Sequence, residues 1–140
     1  MRKRTQAREI ALQALYQHEI QRRADQNLKV AWEEFLAETT DDPGVRDYAR
    51  FLMEGVLNRL EELDGRIADV AENWNLNRIA IVDRCILRIA LFELLDSADV
   101  PPKVAINEAI DLAKKFSTEQ SGNFVNGILD KVYSDMRAQE

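Results

Sequence analysis

Along most of this 140-residue chain apolar side chains recur every three or four residues, the spacing that lines one face of an α-helix. Over residues 5–23, Ala7, Ile10, Ala11, Ala14 and Leu15 mark a first amphipathic helix. Asp25, Gln26 and Asn27 interrupt the pattern, and Leu28, Ala31, Trp32, Phe35 and Leu36 predict a short second helix ending near Thr39. Thr39-Thr-Asp-Asp-Pro-Gly44 reads as a loop: proline fixes φ, glycine permits positive φ, and Thr and Asp side chains compete for backbone hydrogen bonds. Tyr48, Phe51, Leu52, Val56, Leu60 and Leu63 predict a third helix reaching the neighbourhood of Asp64 and Gly65. A shorter fourth runs through Ile67, Val70, Ala71 and Trp74.

From Ile79 to Leu95 apolar residues surround nearly the whole helical wheel, so this fifth helix is predicted to be central and packed on several sides. Pro101-Pro102 stops it, and Val104, Ala105, Ala109, Leu112, Ala113 and Phe116 mark a sixth. Residues 117–120 read as a polar turn. Ser121 is the expected N-cap of a seventh helix carrying Phe124, Val125, Ile128, Leu129 and Val132, and Gly127 the expected point of close helix approach. The pattern predicts one all-helical domain spanning residues 1–140, with halves of about 1–75 and 76–140, and shows no internal repeat.

Composition agrees. The chain is 46% apolar with only five glycines and three prolines, and a chain this long hides roughly 70% of its unfolded surface on folding. Cys85 is the single cysteine, which excludes an internal disulfide or a zinc cluster and fits a reducing cytoplasm. Arg78, Asp83, Arg84, Arg88 and Glu93 break up the most hydrophobic stretch, so no membrane span is expected. The basic start resembles a secretory n-region, but Glu9, Gln13, Gln17 and Glu19 follow where an apolar stretch would stand.

The net charge of −6 conceals an uneven distribution. Residues 1–23 hold six Arg and Lys against Glu9 and Glu19, a local +4, so residues 24–140 carry −10. On helix geometry Arg4, Arg8 and Tyr16 share about a third of the circumference. Cations neutralise phosphates and an aromatic face stacks on an unpaired base, a combination suited to single-stranded RNA, although a solvated basic tail is an equal reading of four charges alone. Arg84, Arg88 and Glu93 on the apolar fifth helix each need a partner, and an internal ion-pair network is the favoured one. Lys114 and Lys115 suit the negative end of the sixth helix and, beside Phe116 and Ser117, form a second candidate anion patch.

Signs of catalysis are absent. His18 has no nucleophile at a recognisable spacing, and no phosphate loop, zinc-protease motif or paired metal-ligand spacing occurs. No cofactor or metal is expected, and no catalytic residue is named.

Four blocks carry a resemblance: Ala7-Arg-Glu-Ile-Ala-Leu-Gln-Ala-Leu-Tyr16, Asp83-Arg-Cys-Ile-Leu-Arg-Ile-Ala90, Lys103-Val-Ala-Ile-Asn-Glu-Ala109 and Phe124-Val-Asn-Gly-Ile-Leu-Asp-Lys131. In that order they resemble the NusB family of transcription antitermination factors, over about residues 5–131. The resemblance implies seven helices in two three-helix halves and a non-enzymatic, cytoplasmic role. It implies binding of boxA-type single-stranded leader RNA together with the ribosomal protein NusE, in a larger complex with NusA, NusG and RNA polymerase. By position it places Arg2, Lys3, Arg4, Arg8, Tyr16, Arg88, Lys115, Phe116, Ser117 and Phe124 on the RNA face, and Gln120 on the NusE face. Nothing functional carries over to residues 25–78. Two other classes compete: a self-associating protein whose homodimer masks the RNA surface, and the targeting module of an RNA methyltransferase.

Overall fold

The computed structural model describes residues 2–21, 27–71, 78–97 and 99–139. Among them are seven helices and no strand: α1 (Arg2–Gln21), α2 (Leu28–Thr39), α3 (Pro43–Asn58), α4 (Leu60–Val70), α5 (Ile81–Asp96), α6 (Pro102–Phe116) and α7 (Glu119–Ala138). They fall into two compact units, residues 1–55 and 56–140, so the division lies within α3. Trp74, assigned by periodicity to the fourth helix, lies outside the described residues.

In the first unit α1 buries Ala7, Ile10, Ala11, Leu12, Ala14 and Leu15, α2 buries Trp32 and Leu36, and α3 contributes Val45, Ala49, Leu52 and Met53. The expected loop at 39–44 shrinks to residues 40–42, for a chemical reason. Asp42 Oδ1 accepts from the Gly44 and Val45 amides at 2.8 and 3.3 Å, capping α3, and Pro43 opens that helix where a missing N–H costs nothing. At the end of α2 the Thr39 hydroxyl bonds back to the Phe35 carbonyl at 2.6 Å, and Arg46 spans the turn to the Thr40 carbonyl at 2.6 Å.

In the second unit α5 is central, packed against α4, α6 and α7 and buried without interruption from Asp83 to Glu93. Leu63, Ile67 and Val70 of α4, Ala105, Ala109, Leu112 and Ala113 of α6, and Val125, Leu129 and Val132 of α7 complete the core. Three expectations are corrected. The break between the third and fourth helices falls at Arg59, not near Gly65: the Arg59 amide turns to Val56 O, and its guanidinium is tied to Glu62 at 2.6 Å and Asp96 at 2.5 Å. Gly65 is an interior residue of α4. The N-cap of α7 is Thr118, whose hydroxyl accepts from the Ser121 amide at 3.0 Å, which frees the Ser121 side chain for another contact. Finally, a Cβ on Gly127 would meet nothing within 4 Å, whereas one on Gly122 would lie 3.0 Å from Lys114 Cγ and 3.6 Å from Ile110 Cγ2. Close approach of α7 to α6 therefore occurs at Gly122. Among the described residues no helix is long and apolar enough to cross a membrane.

Candidate nucleic-acid interface

In the first unit the cations at the start of α1 are unequally placed. Arg2 is exposed, and Lys3, with its side chain 73% exposed, reaches Asp42 at 3.0 Å. That ion pair and the Val45 amide hold the Asp42 carboxyl below the usual carboxylate range. Arg4 is half-buried with its guanidinium 4.2 Å from the centre of the Tyr48 ring, and Arg8, only 2% exposed, lies 5.9 Å from the same ring. Both guanidinium groups thus face an aromatic on α3, a packing that uses cation–π attraction to hold α1 in place. Tyr48 carries an exposed neighbour, Phe51, at 5.7 Å. Tyr16, two turns beyond Arg8, is 37% exposed and presents its ring outward. His18 packs edge-on to Trp32 with ring centres 6.2 Å apart, a structural contact.

In the second unit Arg88 is 5% exposed and directed inward. Its Nε and Nη2 donate to the two oxygens of Asp64 at 2.7 and 3.0 Å, a bidentate bridge from α5 to α4. Arg84 and Glu93 are buried on the same helix at 7% and 1%. The expected internal pairing thus has a definite member in Arg88 and Asp64. At the corner between α6 and α7 the picture reverses. Lys115 and Phe116 are exposed, the ammonium 5.4 Å from the ring centre, and Lys114 beside them is exposed as well.

The start of α7 and the start of α5 line a pocket of about 310 Å³ formed by Arg78, Ile79, Ala80, Asp83, Thr118, Gln120, Ser121 and Phe124. Ser121 Oγ donates to Asp83 Oδ2 at 3.1 Å and accepts from Thr118 Oγ1 at 3.1 Å. Ser117 Oγ lies 2.8 Å from the same atom, and because the single Ser121 proton is committed to Asp83, Ser117 is the donor. Burial pushes the Asp83 carboxyl above its usual range, against the pull of the hydrogen bond from Ser121. The structure thus brings Ser117, Gln120 and Phe124 to one pocket region and adds Arg78, Asp83 and Thr118, which sequence reasoning did not select as site residues. The usable signal was an Asp one residue before an Arg at the start of an apolar helix, where a carboxylate needs a partner. Among the described residues no three His, Cys, Asp or Glu side chains are grouped to hold a metal ion.

Comparison with known proteins bears on this arrangement. The profile of the NusB family matches residues 5–134. A transcription antitermination protein NusB from Anaeromyxobacter dehalogenans is 48% identical over 96% of this chain and 92% of its own length. The NusB from Chloroherpeton thalassium is 42% identical over 97% of this chain, which spans 64% of that longer relative. Among solved structures, T. maritima NusB superposes with a TM-score of 0.83 at 43% identity, covering 92% of this chain and 89% of that one. The structure of antitermination factors NusB and NusE in complex with dsRNA matches with a TM-score of 0.84 at 28% identity, covering 96% and 98%. With seven helices among its described residues and a profile match across residues 5–134, the chain belongs to the NusB family.

Proposed function

We propose that the chain is a non-enzymatic transcription antitermination factor that binds boxA-type RNA together with a NusE partner and helps to assemble the antitermination complex with NusA, NusG and RNA polymerase. Family membership and a solved relative holding both NusE and RNA support it. The observation that carries it is the α6–α7 corner, where exposed Lys115 lies 5.4 Å from the centre of the exposed Phe116 ring. A cation flanking an open ring is suited to a phosphate and the base beside it. Gln120, exposed on the first turn of α7, marks the NusE side. Arg2, Lys3 and Tyr16 extend the RNA surface on the first unit, while Arg4, Arg8 and Arg88 support it from within by holding helices in place.

An acidic body leaves RNA affinity low without a positively charged partner, so binding is expected to tighten when NusE is added. Titration of a labelled boxA RNA and a scrambled control, in single-stranded and duplex form, with and without NusE, tests this. The expected result is preference for the single-stranded boxA sequence in the mixture. Equal binding of boxA and scrambled RNA in every mixture contradicts it.

A further inference from the structure

Arg4, Tyr48 and Phe51 form a row of planar groups in the first unit. The Arg4 guanidinium lies 4.2 Å from the centre of the Tyr48 ring, and the Phe51 ring stands one turn further along α3, 5.7 Å from Tyr48 at an interplanar angle of 33°. Arg4 and Tyr48 are half-buried, whereas Phe51, at the outer end, is 41% exposed. A scattered surface phenylalanine marks nothing by itself. What sets this one apart is that its ring continues a stack starting from a cation. The guanidinium holds Tyr48, Tyr48 packs against Phe51, and the exposed part of that last ring is thereby fixed ahead of any ligand.

The charge beside the row selects its occupant. Arg2 and Lys3 precede Arg4 on α1 and are both exposed, and the bridge from Lys3 to Asp42 is a surface pair of the kind that holds little energy and yields to a stronger anion. On α3, Asp47 is tied to Arg50 at 2.9 Å, and Arg50 also holds Glu33 at 2.6 Å, so those carboxylates already have a cation. Glu54, one turn beyond Phe51, leaves that side of the ring acidic and directs a phosphate toward α1. An RNA nucleotide complements this arrangement, with a base to lie on Phe51 and a phosphate for Arg2 and Lys3. A lysine or arginine of a protein partner would have to approach three cations of α1, and an aliphatic side chain would make no use of them.

We propose that Phe51 is an RNA-stacking residue: one unpaired base of the bound RNA lies on its ring and extends the row formed by Arg4, Tyr48 and Phe51. This rests on the RNA-binding function proposed above and adds a contact on α3, in a stretch to which the family resemblance carries no function. Stacking uses the π-face that every base possesses, so the contact favours a base over a gap but not one base over another. It adds affinity at one nucleotide position and leaves sequence preference to other contacts.

The test uses the full chain with NusE and a series of boxA-type RNAs in which each nucleotide in turn lacks its base. For the native chain, removing the base that stacks on Phe51 is expected to weaken binding about tenfold. Phe51→Leu keeps an apolar side chain but no ring. It is expected to bind the intact RNA about tenfold more weakly and to lose the penalty at that one position, while Phe51→Trp restores both. Thermal melts show that each variant is folded. If Phe51→Leu leaves every affinity unchanged, or weakens all RNAs of the series equally, the base contact is overturned while RNA binding stands. If Phe51→Leu instead weakens NusE binding with its RNA penalties intact, the ring belongs to a protein interface and the base contact is likewise overturned. If the native mixture binds none of the RNAs, the underlying RNA-binding function fails instead.

Discussion

The two basic regions of the molecule use their cations in opposite ways. At the start of α1, Lys3 is paired with Asp42, Arg4 stacks on Tyr48, and Arg8 is enclosed. At the α6–α7 corner, Lys115 and Phe116 stand exposed. The first region is denser in charge and the second is more open to a ligand. Charge clustering in a sequence therefore identifies where cations are, whereas packing decides which of them can reach a phosphate.

The largest expected effect breaks the inward side of this contrast. Arg88→Ala strands the Asp64 carboxylate in a site that is part-buried, with a cost of about 3 kcal/mol in urea unfolding. Arg88→Lys is expected to recover only part of it, since an ammonium cannot reproduce the bidentate contact. Unchanged stability in Arg88→Ala would show that the bridge holds nothing.

The outward side is expected to behave in reverse. Phe116→Ala should weaken RNA binding by about 1 to 3 kcal/mol if a base stacks there. Because the ring is 45% exposed, its unfolding free energy should move by no more than about 0.5 kcal/mol. Binding and denaturation measured on the same preparation separate these quantities.

A subtler prediction concerns pH. The Asp83 carboxyl is raised above its unfolded value, so its contribution to stability is fully present below the unfolded pKa and is lost as pH rises through the higher folded value. At neutral pH the buried charge is therefore a burden, and Asp83→Asn should be more stable than the native chain, by about 1 kcal/mol. That advantage should shrink as pH falls through the raised folded value toward the usual carboxylate range, and change no further below it. A difference independent of pH would assign the effect to packing.

The smallest effect distinguishes the two glycines of α7. Gly127→Ala, with open space around its Cβ, should stabilise by about 0.5 kcal/mol through helix propensity. In Gly122→Ala the new Cβ must push Lys114 aside, so part of that gain should be lost. Thermal melts of the pair report the difference directly.

Much of the fold was legible because helical periodicity is a local property. The buried positions of α1, the central burial of α5 and the proline start of α6 all follow from spacing and backbone chemistry. Features set by side-chain competition were not. Ser121, the expected cap, gives its hydroxyl to Asp83 on another helix, while Thr118 caps α7. Arg59 breaks the α3–α4 run through partners on two other segments, Glu62 and Asp96. The candidate site was legible only as residue types, rings and cations on α1, α6 and α7. What spacing could not show is that Tyr48, in a stretch given no role, faces Arg4 and Arg8, or that Arg88 turns toward Asp64.

The salt dependence of RNA binding tests the contrast between exposed and enclosed cations most directly. With four to six phosphate contacts, the slope of log affinity against log salt should be about −3 to −4 for the chain with NusE. Lys115→Ala should make that slope shallower by about 0.7 to 1, and Arg8→Met, at a temperature where it is folded, should leave it unchanged. A slope altered by Arg8→Met and untouched by Lys115→Ala would contradict the account.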